Sequence, residues 1–406
     1  MHLHNRTVAS VLYMAALAGL CSAQEWTETR VVQKFLEQSP YAREARARTA
    51  IVQAEAKGRS LYANPSVNYG REGAGFTEFF QAEQVLPTSG RLRLLRQAGL
   101  SSARATEAEG AFDIWSARTS LRQAFYRTLT VQERQTVYST GLAEIDNVIR
   151  VLRDREREGE GSKFDRLRTE RERAELLAEL ALVRAETELE RSHVSAFLPP
   201  DVQIASVSGQ IDTPLPAMDA GELIQRAIGT RQDYRAEQRR LEQFRLEQRA
   251  AERLRIPEPV LNAGLKRADI GQNRMSNGPV VGMTVPIPLF NRGQAEVARF
   301  SAEQERTSAR LQILSQRIRA EVEGNVRAFN VRLEARDRYR ETLAGSGPEL
   351  IRIATIAYQE GEIGILQLLD AYRSQRQAEL RMLDIRAAVK EAQIELERVV
   401  GEELEK

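Results

Sequence analysis

Apolar residues recur along most of this chain at steps of three and four, the spacing that gathers them on one stripe of an α-helix. One run is Leu311, Leu314, Ile318, Val322, Phe329 and Leu333; another is Leu369, Tyr372, Leu380, Leu383, Ala387 and Ile394. No proline occurs between Gly90 and Pro199. An interior proline costs a helix about 3 kcal/mol, so its absence permits one unbroken helix from Arg91 to about Glu156, roughly 100 Å at 1.5 Å per residue. A return helix is expected over Lys163–Phe197. In the second half the pattern predicts a long helix over Gln294–Leu343, a kink or break at Gly345-Ser346-Gly347-Pro348, and a final helix after Gly361. Shorter helices are expected at Trp26–Gln38, at Tyr41–Ala63 behind the Ser39-Pro40 start signal, at Ala220–Gly229 and at Arg231–Ile256.

At four places the period drops to two. Ser66–Gly70 and Phe80–Leu86 read as one β-hairpin turning at Gly73–Gly75, and Pro259–Gly264 and Val280–Pro288 as a second turning at Gly271–Gly278. The alternation puts Val67, Tyr69, Leu261 and Leu265 on one face and Asn68, Asn262 and Gly264 on the other. Four strands alone have open edges, and an open edge is not tolerated in hydrocarbon. A lipid-embedded sheet of this kind therefore has to close with other copies of the chain, three of which would supply about twelve strands. The alternative is an exposed hairpin on a soluble coiled-coil protein.

The two halves repeat. Glu158-Gly159-Glu160 has a counterpart at Glu360-Gly361-Glu362, a separation of 202 (361 − 159), and Leu167 corresponds to Leu369. Gly159 and Gly361 mark the two hairpin turns. The expected organisation is a signal peptide at 1–23 and a first repeat at 24–198, with its β-hairpin near 66–86 and its helical hairpin near 91–197. A proline-punctuated linker at 199–218 leads to a second repeat at 219–406, with its β-hairpin near 260–288 and its helical hairpin near 294–400. The fold class is mainly α with a small β part.

Composition supports long helices over compact globules: charged residues are 29 % and aromatics 6 %, with Arg and Glu interleaved at helical spacing. A net charge of +2 gives no broad basic surface, so no nucleic-acid partner is expected. Met1–Ala23 carries a weakly basic start, an apolar run from Val8 to Leu20 and a small-residue exit, the layout of a secretory signal peptide. Cys21 is the only cysteine, so cleavage after Ala23 leaves none; lipidation of Cys21 is the rival reading. No nucleophile–base pair, phosphate loop or set of metal ligands assembles from the sequence, and His193 sits in a charged helix as a surface residue. Neither an enzyme nor a cofactor is expected.

Two stretches, in the context of this order of elements, resemble a known family. Val285-Pro286-Ile287-Pro288-Leu289-Phe290-Asn291-Arg292-Gly293 is similar to the junction between last strand and pore helix in TolC-type outer-membrane efflux proteins, and Tyr358–Asp370 resembles their periplasmic turn. In the junction, Pro286 and Pro288 end the strand because they cannot donate to a ladder, while Phe290, Asn291 and Gly293 lead into the helix. The resemblance covers the mature chain and implies a homotrimer. Twofold-repeated helical hairpins would form an α-barrel in the periplasm, and the strands a 12-stranded β-barrel in outer-membrane lipid. It also implies partners: a periplasmic adaptor (membrane fusion) protein and an inner-membrane pump of RND or ABC type. The compact length and the junction are reminiscent of the heavy-metal cation branch; drug efflux and type I secretion are alternatives, as is a periplasmic coiled-coil adaptor.

The resemblance further implies a constriction at the periplasmic mouth. Asp370 falls at one of its acidic positions and the neutral Gln367 one helical turn earlier, so three Asp370 carboxylates would form a single ring favouring cations. Tyr358 and Asp165 match two residues that link the turns in the closed state, whereas Ile363 stands where a basic partner is often found.

Overall fold

The computed structural model describes residues 26–73, 76–212, 214–272, 274–343 and 346–404. The expected signal peptide, with Cys21, lies outside them, as do parts of both expected β-turns and Gly345.

Helix α1 (Glu28–Gln38) leads directly into α2 (Pro40–Arg59) through Ser39, whose hydroxyl caps α2 by accepting from the Tyr41 amide at 3.1 Å. Strands β1 (Ser66–Glu72) and β2 (Thr77–Val85) follow, then α3 (Arg91–Arg157), 67 residues without a break, and α4 (Lys163–Ser195). The second half brings α5 (Ala220–Thr230), α6 (Gln232–Glu252), β3 (Val260–Asp269), β4 (Met275–Thr284), α7 (Gln294–Leu343), α8 (Ser346–Gln359) and α9 (Ile365–Val400). The kink or break expected at Gly345-Ser346-Gly347-Pro348 falls partly outside the described residues: α7 is described to Leu343 and α8 from Ser346, with Gly347 and Pro348 inside its first turn.

Several boundaries differ from the sequence reading: α2 stops at Arg59 rather than Ala63, β2 starts at Thr77 rather than Phe80, and β3 runs to Asp269 rather than Gly264. The second β-turn is confined to 270–274 rather than running to Gly278, and β4 stops at Thr284 rather than Pro288. Asp269 explains the tight turn: its carboxylate accepts from the Gly271 amide at 2.8 Å, and Ile270 bonds Arg274 across the turn at 2.9 Å. Pro279 then sits in the ladder opposite Leu265 on β4, an edge strand that tolerates a missing donor.

All four strands form one antiparallel sheet in the order β1-β2-β3-β4. The helices pack as a curved layer in which α3 is the hub. Near the sheet the neighbours run α2, α3, α6, α7; at the far end they run α4, α3, α9, α8. Three apolar clusters hold this layer. Phe329, Ile318 and Val322 of α7 meet Leu396 and Val399 of α9 and Ile224 of α5. Phe35 of α1 meets Leu121 and Phe125 of α3 and Ile394 of α9. The third cluster lies at the far tips. Fully burying each such side chain contributes about 1.5–3 kcal/mol.

Between the first two clusters is a buried polar network. Arg122 donates to Glu28 at 2.5 Å and to Glu397, Tyr126 donates to Glu28 at 2.5 Å, and Gln393 links Glu397 to Lys390. Burial works against the Glu28 charge, but Arg122 and the Tyr126 hydroxyl outweigh it and hold that carboxyl below its ordinary range. The network fastens the first described helix to both repeats.

Candidate functional site

The two hairpin turns share one backbone design. Gly159 and Gly361 both have positive φ, +82° and +79°. Their amides donate to Glu156 and Tyr358, and the following residues, Glu160 and Glu362, reach back to Arg155 and Ala357. This left-handed closing turn satisfies carbonyls that a helix end would otherwise leave unpaired, and glycine occupies it without a Cβ penalty.

Both turns lie at the same end of the molecule and pack together. Ile145, Ile149 and Leu152 of α3 and Leu176 of α4 meet Ile365, Leu368 and Leu369 of α9. Ile363 joins this apolar cluster, so the position where a basic partner was considered contributes packing instead. Tyr358 sits beside the same cluster; the Arg155 guanidinium lies 5.5 Å from its ring centre and donates to the Gln359 carbonyl at 3.3 Å. Burial first, then the negative charge of Asp165, pushes the Tyr358 phenol up.

An ionic link that the sequence reading missed joins the hairpins. Glu172 of α4 is 4 % exposed and accepts from Arg373 of α9 at 2.9 and 3.0 Å and from Arg376 at 3.3 Å. The hydrogen bonds from Arg373 outweigh burial and hold the Glu172 carboxyl below the ordinary range. The available signal was an acid on the return stripe of one hairpin facing an Arg pair at i and i+3 on the other. It could not be read without the inter-hairpin register.

Asp370 is exposed one helical turn before Arg373, whose guanidinium pKa is raised chiefly by its hydrogen bonds to Glu172 and least by the charge of Asp370. Gln367 is exposed too, but its side-chain oxygen accepts at 2.8 Å from the amide of Gly364, the N-cap of α9, and so helps to close the start of that helix. Among the described residues, no three His, Cys, Asp or Glu side chains gather in a way that could hold a metal ion. His193 is half exposed beside Glu190.

At the opposite end, the strand register sorts the sheet into two faces. Val67, Tyr69, Phe80, Leu261, Leu265, Val281 and Met283 share one face through the pairs Tyr69–Phe80, Phe80–Leu265 and Leu261–Met283. All are exposed, Val281 at 76 %. Asn68, Gln81, Glu83, Asn262, Gly264 and Gly282 share the other. An uncovered apolar face opposite a polar one is the pattern of a barrel wall with lipid outside and water inside. No described helix is long and apolar enough to cross a membrane.

The junctions below the sheet turn strand into helix. Leu86 bonds the Pro259 carbonyl at 2.8 Å, tying the two repeats together. Pro286 and Pro288 lie past the last strand. Asn291 accepts from the Gly293 amide at 3.0 Å, and Gly293 has φ +81°. A Cβ at Gly293 would meet the Ala251 carbonyl at 2.6 Å, so the close approach to α6 also requires glycine. Phe290 is 90 % exposed.

Comparison with known proteins agrees with this geometry. Residues 223–402 match the family described as Outer membrane efflux protein. The cobalt-zinc-cadmium resistance protein CzcC of Cupriavidus metallidurans is 27 % identical over 316 residues, 77 % of this chain and 71 % of that protein. The open-state MtrE outer membrane channel of Neisseria gonorrhoeae superposes with a TM-score of 0.73 at 18 % identity, covering 92 % of this chain and 89 % of that one. The outer membrane protein VceC of Vibrio cholerae superposes at 0.71 and 17 % identity, covering 93 % and 97 %.

Proposed function

We propose that the chain belongs to the outer-membrane efflux family of TolC type and that three copies form one continuous duct. The duct would carry heavy-metal cations delivered by an inner-membrane pump, of RND or ABC type, through a periplasmic adaptor. The observation that carries this reading is the matching of open edges in both layers. The sheet ends in unpaired β1 and β4. The helical layer ends in α4 and α8 at the tips and in α2 and α7 near the sheet. Large exposed apolar side chains concentrate on those same edge helices: Phe164, Leu182 and Leu189 on α4, Ile353 on α8, Ile313 and Val331 on α7, Ile51 on α2. One rotation that pairs β4 with β1 of the next copy also brings edge helix to edge helix, closing a β-barrel over an α-barrel.

In this assembly the polar sheet face lines the exit and the joined tips form the periplasmic mouth. Asp370 supplies the cation-favouring ring, with Gln367 as the neutral step above it. Asp165, Tyr358, Glu172 and Arg373 hold the two hairpins of one protomer together, so that widening the mouth requires them to part. Residues 1–23 act as the cleaved signal peptide and 199–218 as the linker between repeats.

The cargo assignment rests on the cobalt-zinc-cadmium relative. It is tested by cobalt, zinc and cadmium accumulation in cells with and without the gene. Loss of the protein is expected to raise all three and a plasmid copy to restore them. Unchanged metal levels alongside accumulation of an organic drug would assign the duct to drug efflux instead.

A further inference from the structure

The outward face of the sheet changes character near its turns. Beyond the apolar band, the register sets Arg71, Glu78 and Arg267 side by side across β1, β2 and β3. Phe76 lies one alternation further toward the turn on the same face. The Arg71 guanidinium stacks 4.5 Å from the Phe76 ring centre, and that of Arg267 lies 6.0 Å from the same centre. Two like charges thus converge on one ring.

The acids nearby offset one of these two charges and leave the other. Glu78 is engaged by the Tyr69 hydroxyl at 3.0 Å and by Arg267 at 4.0 Å. Asp269 is turned into its own loop, accepting from the Gly271 amide. Arg71 has no ion pair among the described residues. Its guanidinium edge, held flat by the ring, keeps donors free for a bidentate acceptor. The helices leave the sheet at the opposite end, so this rim faces the outer leaflet, at the height where apolar wall gives way to lipid headgroups.

We propose that Arg71 and Arg267, positioned by Phe76, bind a phosphate group carried by the glycolipid of the outer leaflet. A phosphate between two guanidiniums relieves their repulsion and accepts from both, while the acyl chains lie along Tyr69, Phe80 and Leu265 below. Basic groups at a membrane surface each contribute to attraction of anionic headgroups, and the apolar band supplies the rest of the contact. The proposal presupposes that this face meets lipid. A heat-modifiable outer-membrane trimer that fails the lipid test would leave the channel reading intact and overturn only this one.

The test is native mass spectrometry of the detergent-purified trimer, offered the phosphorylated glycolipid or the same lipid after phosphatase treatment. The wild type is expected to retain the phosphorylated form about thirtyfold better. The Arg71→Gln/Arg267→Gln variant should lose that preference, and Lys266→Gln, on the polar face, should keep it. Equal retention of the two lipids by wild type, which requires no variant to fold, would overturn the proposal. So would an undiminished preference in the double variant. Displacement of the lipid by inorganic phosphate alone would overturn its lipid identity.

Discussion

Glu172 and Arg373, 201 residues apart in sequence, are joined by hydrogen bonds of 2.9 and 3.0 Å that cross from the first helical hairpin to the second. Apolar packing at the tips holds the hairpins side by side; this pair fixes how far α4 and α9 can slide or part. Replacing Glu172 with Gln leaves Arg373 and Arg376 without their shared anion and should weaken the tip contact by about 1–3 kcal/mol. Single-channel recording is expected to show larger or more frequently open conductance in Glu172→Gln. The Glu172→Gln/Arg373→Gln double variant should be less affected than the sum of the singles. Strict additivity would mean that the pair is not coupled.

The same carboxylate sets a pH response. Its folded-state pKa is lowered, chiefly by hydrogen bonds from Arg373. Its contribution is therefore fully present above the unfolded-state carboxylate pKa and is lost as pH falls through the lowered folded value. The link should hold across neutral and mildly acid pH and release only below the ordinary carboxylate range. Conductance recorded during acidification should rise there in the wild type, and that step should be absent in Glu172→Gln.

Asp370 is exposed beside this link and carries the proposed ring. Asp370→Asn should reduce cation over anion selectivity, read as a reversal-potential shift in a salt gradient, with trimer formation unchanged. Unaltered selectivity would remove Asp370 from the aperture.

Gly159 and Gly361 occupy left-handed turns with open space where a Cβ would stand. Alanine at either position therefore pays for conformation alone, about 1–2 kcal/mol. Equal losses are expected at the two sites in the temperature at which the trimer band disappears on a gel. A much larger loss at one would point to a contact beyond the turn.

Arg122 is buried between Glu28 and Glu397. Glu397→Gln removes one of two anions from a buried cation and should cost about 3–5 kcal/mol. Reduced trimer yield and faster proteolysis of α1 would register it.

Much of this was legible because periodicity reports burial directly. The stripe through Ile318, Val322, Phe329 and Leu333 is the buried stripe of α7, and the alternation around Val67 and Leu261 is the two-faced sheet. The second β-turn was misjudged because Gly278 and Pro279 look like turn residues locally, whereas an edge strand accommodates both. The Glu172 link and the Arg122 network were invisible for a different reason. In a chain this rich in Arg and Glu, almost every acid has a base at helical spacing. Only the packing of one hairpin on another, or of α1 on α3 and α9, tells which pairs leave the solvent.

The most direct measurement on the duct itself is fractionation of cells producing the full chain, followed by electrophoresis with and without heating. The account predicts an outer-membrane protein that migrates as a trimer unheated and as a monomer after boiling. A soluble periplasmic monomer would contradict it, because the apolar sheet face and the open edges of both layers would then have nothing to close against.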